Sequence, residues 1–144
     1  MKKTLVLGGL AAVCIPALAF GQAGVDKYAG EFEDQPGSLI KLKVDFTGGQ
    51  GTVTEIKAKR FGLTCKDGSV GLQGAATLGG EIPVRSTGSF KVADRNGKTT
   101  FKTRATVRAR KIEGTFRFFG KIDGDDGVTH DCDSGPLSFT AKIE

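Results

Sequence analysis

Alternation of apolar and polar residues constrains the fold of this chain more than any other feature. It is clearest in residues 40–46, 101–109, 112–118 and 137–143, where nearly every second residue is apolar. Successive side chains of a strand point to opposite faces, so this pattern predicts strands with one buried and one solvated face. No segment has the 3.6-residue period of an amphipathic helix. Half-buried strands are typical of antiparallel sheets, because parallel strands are covered on both sides.

Turn-forming residues divide the alternating runs into strands. Pro36-Gly37 separates strands predicted over about residues 25–33 and 38–46, and a third strand is predicted over about 52–64. The alternation changes phase between Val53 and Ile56, which indicates a β-bulge. Asn96-Gly97 predicts a hairpin with a type I′ turn, in which both residues have positive φ. Further short strands are predicted near residues 70–73, 82–85 and 89–93. We therefore predict an all-β fold, an antiparallel β-sandwich or flattened barrel of about eight or nine strands.

The N-terminal residues have the layout of a secretory signal. Lys2 and Lys3 precede an apolar run over residues 5–19, and Ala17-Leu18-Ala19 is the small-x-small pattern of a cleavage site, with a second cut possible after residue 21. The run is too short and glycine-rich to span a membrane, and no later segment is apolar enough. We predict a signal peptide over residues 1–19, a single β domain over 20–144, no transmembrane segment, and a location outside the cell or on the extracellular face of its envelope.

Two cysteines remain once the predicted signal is removed. Cys14 lies within the signal, and the branched Val13 before it disfavours a lipidated N-terminus. Cys65 and Cys132 form an even pair in an exported chain, which predicts one disulfide. The alternative is a zinc or redox site, but with His130 the cysteines supply three of the four ligands that structural zinc requires.

Basic residues are concentrated in the second half of the chain. Residues 85–121 contain eleven Lys and Arg against two acidic residues, although the mature chain as a whole carries a net charge of only about +3. Alternation and a hairpin predict a cationic strip, and its anion-binding candidates are Lys102, Arg104, Arg108, Arg110, Arg117 and Lys121. The alternative is an ordinary solvated strand face, whose cations also discourage edge-to-edge aggregation. Nucleic acid is a disfavoured partner because Phe119 is the one aromatic residue expected among these cations.

Acidic residues crowd the loop that follows the basic region. Asp123, Asp125 and Asp126 are weak calcium candidates, followed closely by Asp131 and Asp133. The spacing is not that of the twelve-residue calcium loop, and Asp and Gly are also favoured in any exposed turn. A contact between this loop and the basic strip is an alternative. No other metal or cofactor is predicted.

No residue pattern indicates catalysis. His130 is the only histidine, and no serine lies in the strained turn that a nucleophile of a Ser-His-Asp site occupies. We expect His130 to be a loop residue on the solvent side.

Short turn and strand motifs cover most of the mature chain. They are Tyr28-Ala29-Gly30, Cys65-Lys66-Asp67-Gly68, Ile82-Pro83-Val84, Gly88-Ser89-Phe90, Ile112-Glu113-Gly114-Thr115-Phe116 and Cys132-Asp133-Ser134-Gly135. In these motifs the chain resembles a group of small secreted all-β single-domain proteins common in high-GC Gram-positive bacteria, whose activity is not assigned. The resemblance supports the fold and the disulfide and implies no functional residue.

Taken together, these patterns predict a non-enzymatic, monomeric binding protein. Its expected partner is an anionic envelope polymer or an acidic protein, engaged through the basic strand face. Two alternatives remain open from the sequence. One is a small extracellular hydrolase with carboxylates at a sheet edge, and the other is a purely structural or inhibitory secreted domain.

Overall fold

Antiparallel strands make up the regular structure of residues 24–69 and 71–144, which are the residues described by the computed structural model of the chain. The predicted signal peptide, both cleavage points, Cys14 and Val70 lie outside these residues. Within them, no helix is long and apolar enough to cross a membrane. The strands are β1 (Val25–Phe32), β2 (Leu39–Asp45), β3 (Thr52–Gly62), β4 (Thr64–Cys65), β5 (Gln73–Pro83), β6 (Ser89–Asn96), β7 (Thr99–Val107), β8 (Lys111–Asp123), β9 (Thr129–Asp133) and β10 (Leu137–Ile143).

A single curled sheet contains all of these strands. Eight of them follow the order β6-β7-β8-β10-β1-β2-β3-β5, and every neighbouring pair is antiparallel. The long β8 pairs with β10 in its first half and with β9 in its second, and β9 also pairs with β4. The all-β prediction is therefore confirmed, and the architecture is a curled half-barrel whose eight-strand path ends at β5 and β6.

The core lies on the concave side of the curl, where the predicted alternation places it. Ile40, Leu42 and Val44 are almost completely buried, while Lys41 between them is exposed. Phenylalanines from distant strands meet in the centre: the ring centroid of Phe61 on β3 lies 5.2 Å from that of Phe116 on β8. This contact shows that β3 and β8 face each other across the core, so their outer surfaces point in opposite directions.

Local features of the strands both confirm and correct the predictions. The bulge in β3 is confirmed, because Val44 pairs with Val53 while Lys43 pairs with Glu55, which leaves Thr54 unmatched. The hairpin after β6 is also confirmed, but its turn type is wrong. Asn96 pairs with Thr99, so the two loop residues are Gly97 and Lys98, and only Gly97 has positive φ (64°). That pattern fits a type II′ turn, with glycine in its first central position.

Two further strand predictions require correction. Residues 73–83 form one continuous strand instead of two short ones, because β3 provides a partner along its whole length and bulges absorb the register shifts. Strand β7 ends at Val107, so Ala109 is exposed and does not continue the alternation. This end point decides where the neighbouring arginines lie.

The predicted disulfide between Cys65 and Cys132 is confirmed. The two residues are directly opposite each other in the short β4–β9 ladder, and both are buried. The disulfide therefore joins the β4 corner to the strand that runs beside the second half of β8.

Candidate anion-binding face

The structure divides the six predicted anion-binding residues into two groups. Lys102 and Arg104 on β7 and Arg117 on β8 share the outer side of the sheet. Arg108 and Arg110 instead lie in the turn that follows β7, since the strand ends at Val107. The sixth residue, Lys121, lies further along β8, opposite Asp131 of β9. The predicted strip is therefore shorter and wider than the sequence indicates.

A compact group of cations spans three adjacent strands, and we call it the cationic face: Lys91, Lys102, Arg104 and Arg117. In the register, Lys91 on β6 lies directly opposite Arg104 on β7, and Lys102 on β7 directly opposite Arg117 on β8. Like charges in directly opposed positions destabilise a sheet. Among the described residues, no carboxylate lies within ion-pair distance of Lys91, Lys102 or Arg104. The sheet thus holds two unfavourable pairs with little internal neutralisation.

The cationic face surrounds an open hollow of about 520 Å³. Small side chains lie between the cations in the register, with Ala93 opposite Lys102 and Thr115 opposite Arg104. Pro136, in the segment between β9 and β10, lines one side of the hollow. A ligand can therefore reach the strands between the charged groups, where it would contact several cations at once.

Phe119 is the aromatic member of this surface, as the sequence predicts. The guanidinium carbon of Arg117 lies 5.0 Å from the centroid of its ring, and the Nζ atom of Lys102 lies 5.7 Å from it. Contacts of this kind attract cations to the face of the ring. Phe119 therefore favours an arrangement in which these two like charges remain close together.

Among the residues that the structure describes, Arg117 is the member of the cationic face that has a carboxylate partner. Its Nε atom donates to Oδ1 of Asp133 at 3.0 Å, and its Nη2 atom donates to Oδ2. The hydrogen bond from Arg117 is the main reason that the pKa of Asp133 is lowered. The contact considered from the sequence, between the acidic segment and the basic strip, exists in this form.

Lys91 is the member of the cationic face that the sequence analysis missed. The alternation in residues 89–93 indicated a strand, and Asn96-Gly97 indicated the hairpin that follows it. Combining the two predicts Lys91 opposite Lys102, on the same face as these cations, and the observed turn at Gly97-Lys98 moves it opposite Arg104. The sequence therefore contained a signal for Lys91, but it appears only when the strand and the turn are considered together, because the turn sets the pairing of the two strands.

The calcium candidates do not converge on a common point. Asp123 Oδ1 accepts a hydrogen bond from Thr129 Oγ1 at 2.7 Å, and Asp126 Oδ1 accepts one from the backbone N–H of Val128 at 2.9 Å. In the part of the chain that the structure describes, no group of three or more His, Cys, Asp or Glu residues is arranged to hold a metal ion. The geometry therefore gives no support to the calcium prediction for Asp123, Asp125 and Asp126.

The expectation for His130 is wrong, because this residue is buried in β9 and is not a solvent-side loop residue. Its Nδ1 atom lies 2.6 Å from Oδ2 of Asp67 and its Nε2 atom 3.5 Å from Oδ1 of Asp126. The hydrogen bond to Asp67 is the main reason that the pKa of His130 is raised. Hydrogen bonds from Ser69, followed by that from His130, lower the pKa of Asp67 to about 2.

These groups form an acidic corner, which we define as Asp67, Asp126, His130 and the disulfide. Ser69 Oγ also lies 3.1 Å from His130 Nδ1, which brings a serine, a histidine and an aspartate together. A general base must accept the proton of its nucleophile. Asp67 instead favours a protonated Nδ1 atom, whose N–H group donates a hydrogen bond to the carboxylate. A protonated Nδ1 atom cannot accept the proton of Ser69. The arrangement suits a link between two loops better than activation of Ser69.

No known protein family, curated protein or solved structure matches this chain.

Proposed function

We propose that this protein is a non-enzymatic binding protein that engages an anionic polymer through the cationic face. Two pairs of opposed cations carry the proposal, Lys91 with Arg104 and Lys102 with Arg117. Within the described residues, only Arg117 of these four has a carboxylate partner. A polyanion over the hollow would neutralise both pairs at once and release its counterions. Arginine adds a planar fork that suits phosphate groups, so a phosphate-bearing polymer fits best.

A polymer fits this surface better than an acidic protein. Stable protein interfaces have an apolar, aromatic-rich centre from which charges are depleted. The large hydrophobic residues that the described structure leaves exposed are Val25 and Val128, and neither lines the hollow. Binding of an acidic protein with no binding of polymers is the outcome that would favour the other class of partner.

We further propose that the protein works outside the cell or on its envelope, as a monomer. The disulfide supports this location because such bonds persist in oxidising compartments. The signal pattern in residues 1–19 supports it independently.

The experiment that tests this function measures binding of the mature protein to immobilised long-chain inorganic polyphosphate. The test variant is Lys102→Glu/Arg104→Glu. Each cation near an anionic surface contributes about 1 kcal/mol, so the double reversal should lower the affinity by at least about thirtyfold. The salt dependence of binding should also become shallower, because fewer phosphates are neutralised.

The matched control is Arg108→Glu/Arg110→Glu, which makes the same change in net charge in the turn after β7. We expect it to retain most of the affinity, since Arg108 is already paired with Glu113 at 3.3 Å. Equal losses in both variants would show that only net charge matters and would contradict the proposed site. Unchanged binding in the Lys102/Arg104 variant would remove the proposed function.

A further inference from the structure

A second group of cations lies on the outer side of β10, β1, β2 and β3, with one member at the start of β8. It is not among the predicted candidates, and we call it the lysine face: Lys27, Lys41, Lys43, Lys57, Lys111 and Lys142. All of these side chains are on the solvent side of their strands. One row of the register crosses five strands, in the order Lys111, Lys142, Ala29, Lys41 and Lys57.

Like-charge pairs recur on this face. Lys27 lies directly opposite Lys43, Lys41 opposite Lys57, and Lys111 opposite Lys142. As on the cationic face, such pairs cost stability unless other charges compensate.

Within the described part of the chain, one lysine of each pair has a carboxylate partner and the other has none. The Nζ atoms of Lys43, Lys41 and Lys111 lie 3.4, 3.9 and 3.4 Å from carboxylate oxygens of Glu55, Glu144 and Glu113. Within residues 24–69 and 71–144, no carboxylate is in ion-pair range of Lys27, Lys57 or Lys142. A hollow of about 220 Å³ is lined by four of these lysines and also by Glu55 and Glu144, the carboxylate partners of Lys43 and Lys41. Three cations therefore remain for an external anion.

The lysine face on β3 points away from the cationic face on β8, although Lys111 lies on the same side of β8 as Arg117. Lys57 is on the outer side of β3 and Arg117 on the outer side of β8, and the inner sides of these strands meet through Phe61 and Phe116. One short anion cannot contact both Lys57 and Arg117, because the core lies between them. Two chains, or two distant stretches of one chain, can.

We propose that the lysine face is a second anion-binding surface, and that the protein bridges two stretches of a phosphate-bearing polymer. This inference rests on the proposed function, since it assigns the same ligand chemistry to the opposite wall of the half-barrel. Two linked sites raise the overall avidity without any new contact. They also convert a binding protein into a cross-linker of the polymer.

Light scattering with long-chain inorganic polyphosphate tests the bridging, and binding to immobilised polyphosphate is measured in parallel. We expect the wild-type protein to raise the scattering to a maximum that falls again with excess polymer, because excess chains occupy each surface separately. The variant Lys57→Glu/Lys142→Glu should lower that maximum at least about tenfold while keeping most of its binding through the cationic face. Tripolyphosphate, too short to bridge, should give no scattering with either protein.

The control Lys66→Glu/Lys98→Glu has the same net charge as the test variant but changes residues outside both faces. It should scatter like the wild-type protein. Scattering by Lys57→Glu/Lys142→Glu at the wild-type level, or an equal loss in the control, would overturn the bridging inference and leave the proposed function intact. Wild-type binding without scattering would overturn it as well. Failure of the proposed function would be recognised by a different measurement, since Lys102→Glu/Arg104→Glu would then bind polyphosphate like the wild-type protein.

Discussion

The acidic corner and the cationic face lie at neighbouring positions on the same sheet, yet they use charge in opposite ways. In the corner, Asp67 and Asp126 each have a partner, and both contact the buried His130. On the face, Lys91, Lys102 and Arg104 have no carboxylate partner among the described residues. Charges that are satisfied inside the molecule hold loops in place, whereas charges that are left unsatisfied remain available to a partner.

Strand β8 contributes residues to both regions, so a substitution on this strand can affect both of them. Arg117 belongs to the cationic face and contacts the ring of Phe119, while Gly120 pairs with Cys132 of the acidic corner. The Arg117–Asp133 ion pair crosses the boundary between them. We assign stability mainly to the acidic corner and anion binding to the cationic face, so substitutions in the two regions should have different effects.

The largest expected effect is loss of the disulfide in the corner. Cys65→Ala/Cys132→Ala removes a bond that closes a loop with a sequence separation of 67. The entropic model assigns a loop of this length about 4 kcal/mol of stability. Urea unfolding should show a loss of this order, and polyphosphate affinity should be unchanged under conditions where the variant is folded. A loss below about 1 kcal/mol would contradict this assignment of stability to the corner.

Next in size is Gly120→Ala, at the junction of the two regions. Gly120 has a φ of +137°, and a Cβ atom there would lie 2.2 Å from the backbone oxygen of Lys98. Strain and steric overlap each cost about 1–3 kcal/mol, so thermal unfolding should occur at a clearly lower temperature.

Gly80→Ala is the matched control for that substitution. Gly80 also lies in a strand, has no positive φ, and a Cβ atom there would have no neighbour within 4 Å. A similar destabilisation by both substitutions would show that the crowding at Gly120 is not the cause.

A smaller effect is expected from the pH dependence of the corner. The pKa of His130 is raised above its ordinary value of 6.5, so its stabilising contribution is complete below that pH and is lost as the pH rises through the folded-state pKa. The pKa of Asp67 is lowered to about 2 from 3.8, so its contribution is complete above 3.8 and is lost as the pH falls towards 2. The ion pair between His130 and Asp67 is therefore most stabilising between pH 3.8 and pH 6.5.

Comparison of melting temperatures across pH for the wild-type protein and His130→Gln checks this. The wild-type advantage should be greatest within that window and should shrink on the alkaline side as His130 loses its proton. Parallel melting curves across the whole range would contradict a charged link between His130 and the two aspartates.

The smallest expected effect is that of Asp133→Asn, which releases Arg117 from its partner. Exposed ion pairs contribute about 0–1 kcal/mol, so stability should change little. Affinity for polyphosphate should rise by a few-fold at most, since one more cation becomes available. Weaker binding by this variant would show that Asp133 positions Arg117 for the ligand instead of competing with it.

The sequence predicted the strands of this fold well where one strand alone decided the pattern. The alternation in residues 40–46 and 137–143 indicated the buried side chains correctly, because burial of one face leaves its period in the residues themselves. Predictions that depended on two strands were less successful. The turn at Gly97-Lys98, the length of β5 and the place of Lys91 all depend on which residues of neighbouring strands pair.

His130 shows the same limit for a functional residue. Its neighbours Asp67 and Ser69 are about sixty residues away in the chain, and the β4–β9 ladder brings them together. Nothing in residues 123–133 alone distinguishes a buried histidine from an exposed one.

The sequence by itself determined the all-β class and which side chains of each strand face the core, because both depend on local periodicity. It also determined the pairing of the two cysteines, because only two remain after the predicted signal. Only the tertiary structure decided which cations lie together, which of them are paired with a neighbouring carboxylate, and that Lys57 and Arg117 lie on opposite sides of the core. The physical reason is that strand pairing brings together charges that are far apart in the chain, and a shift of one residue in register would rearrange them all.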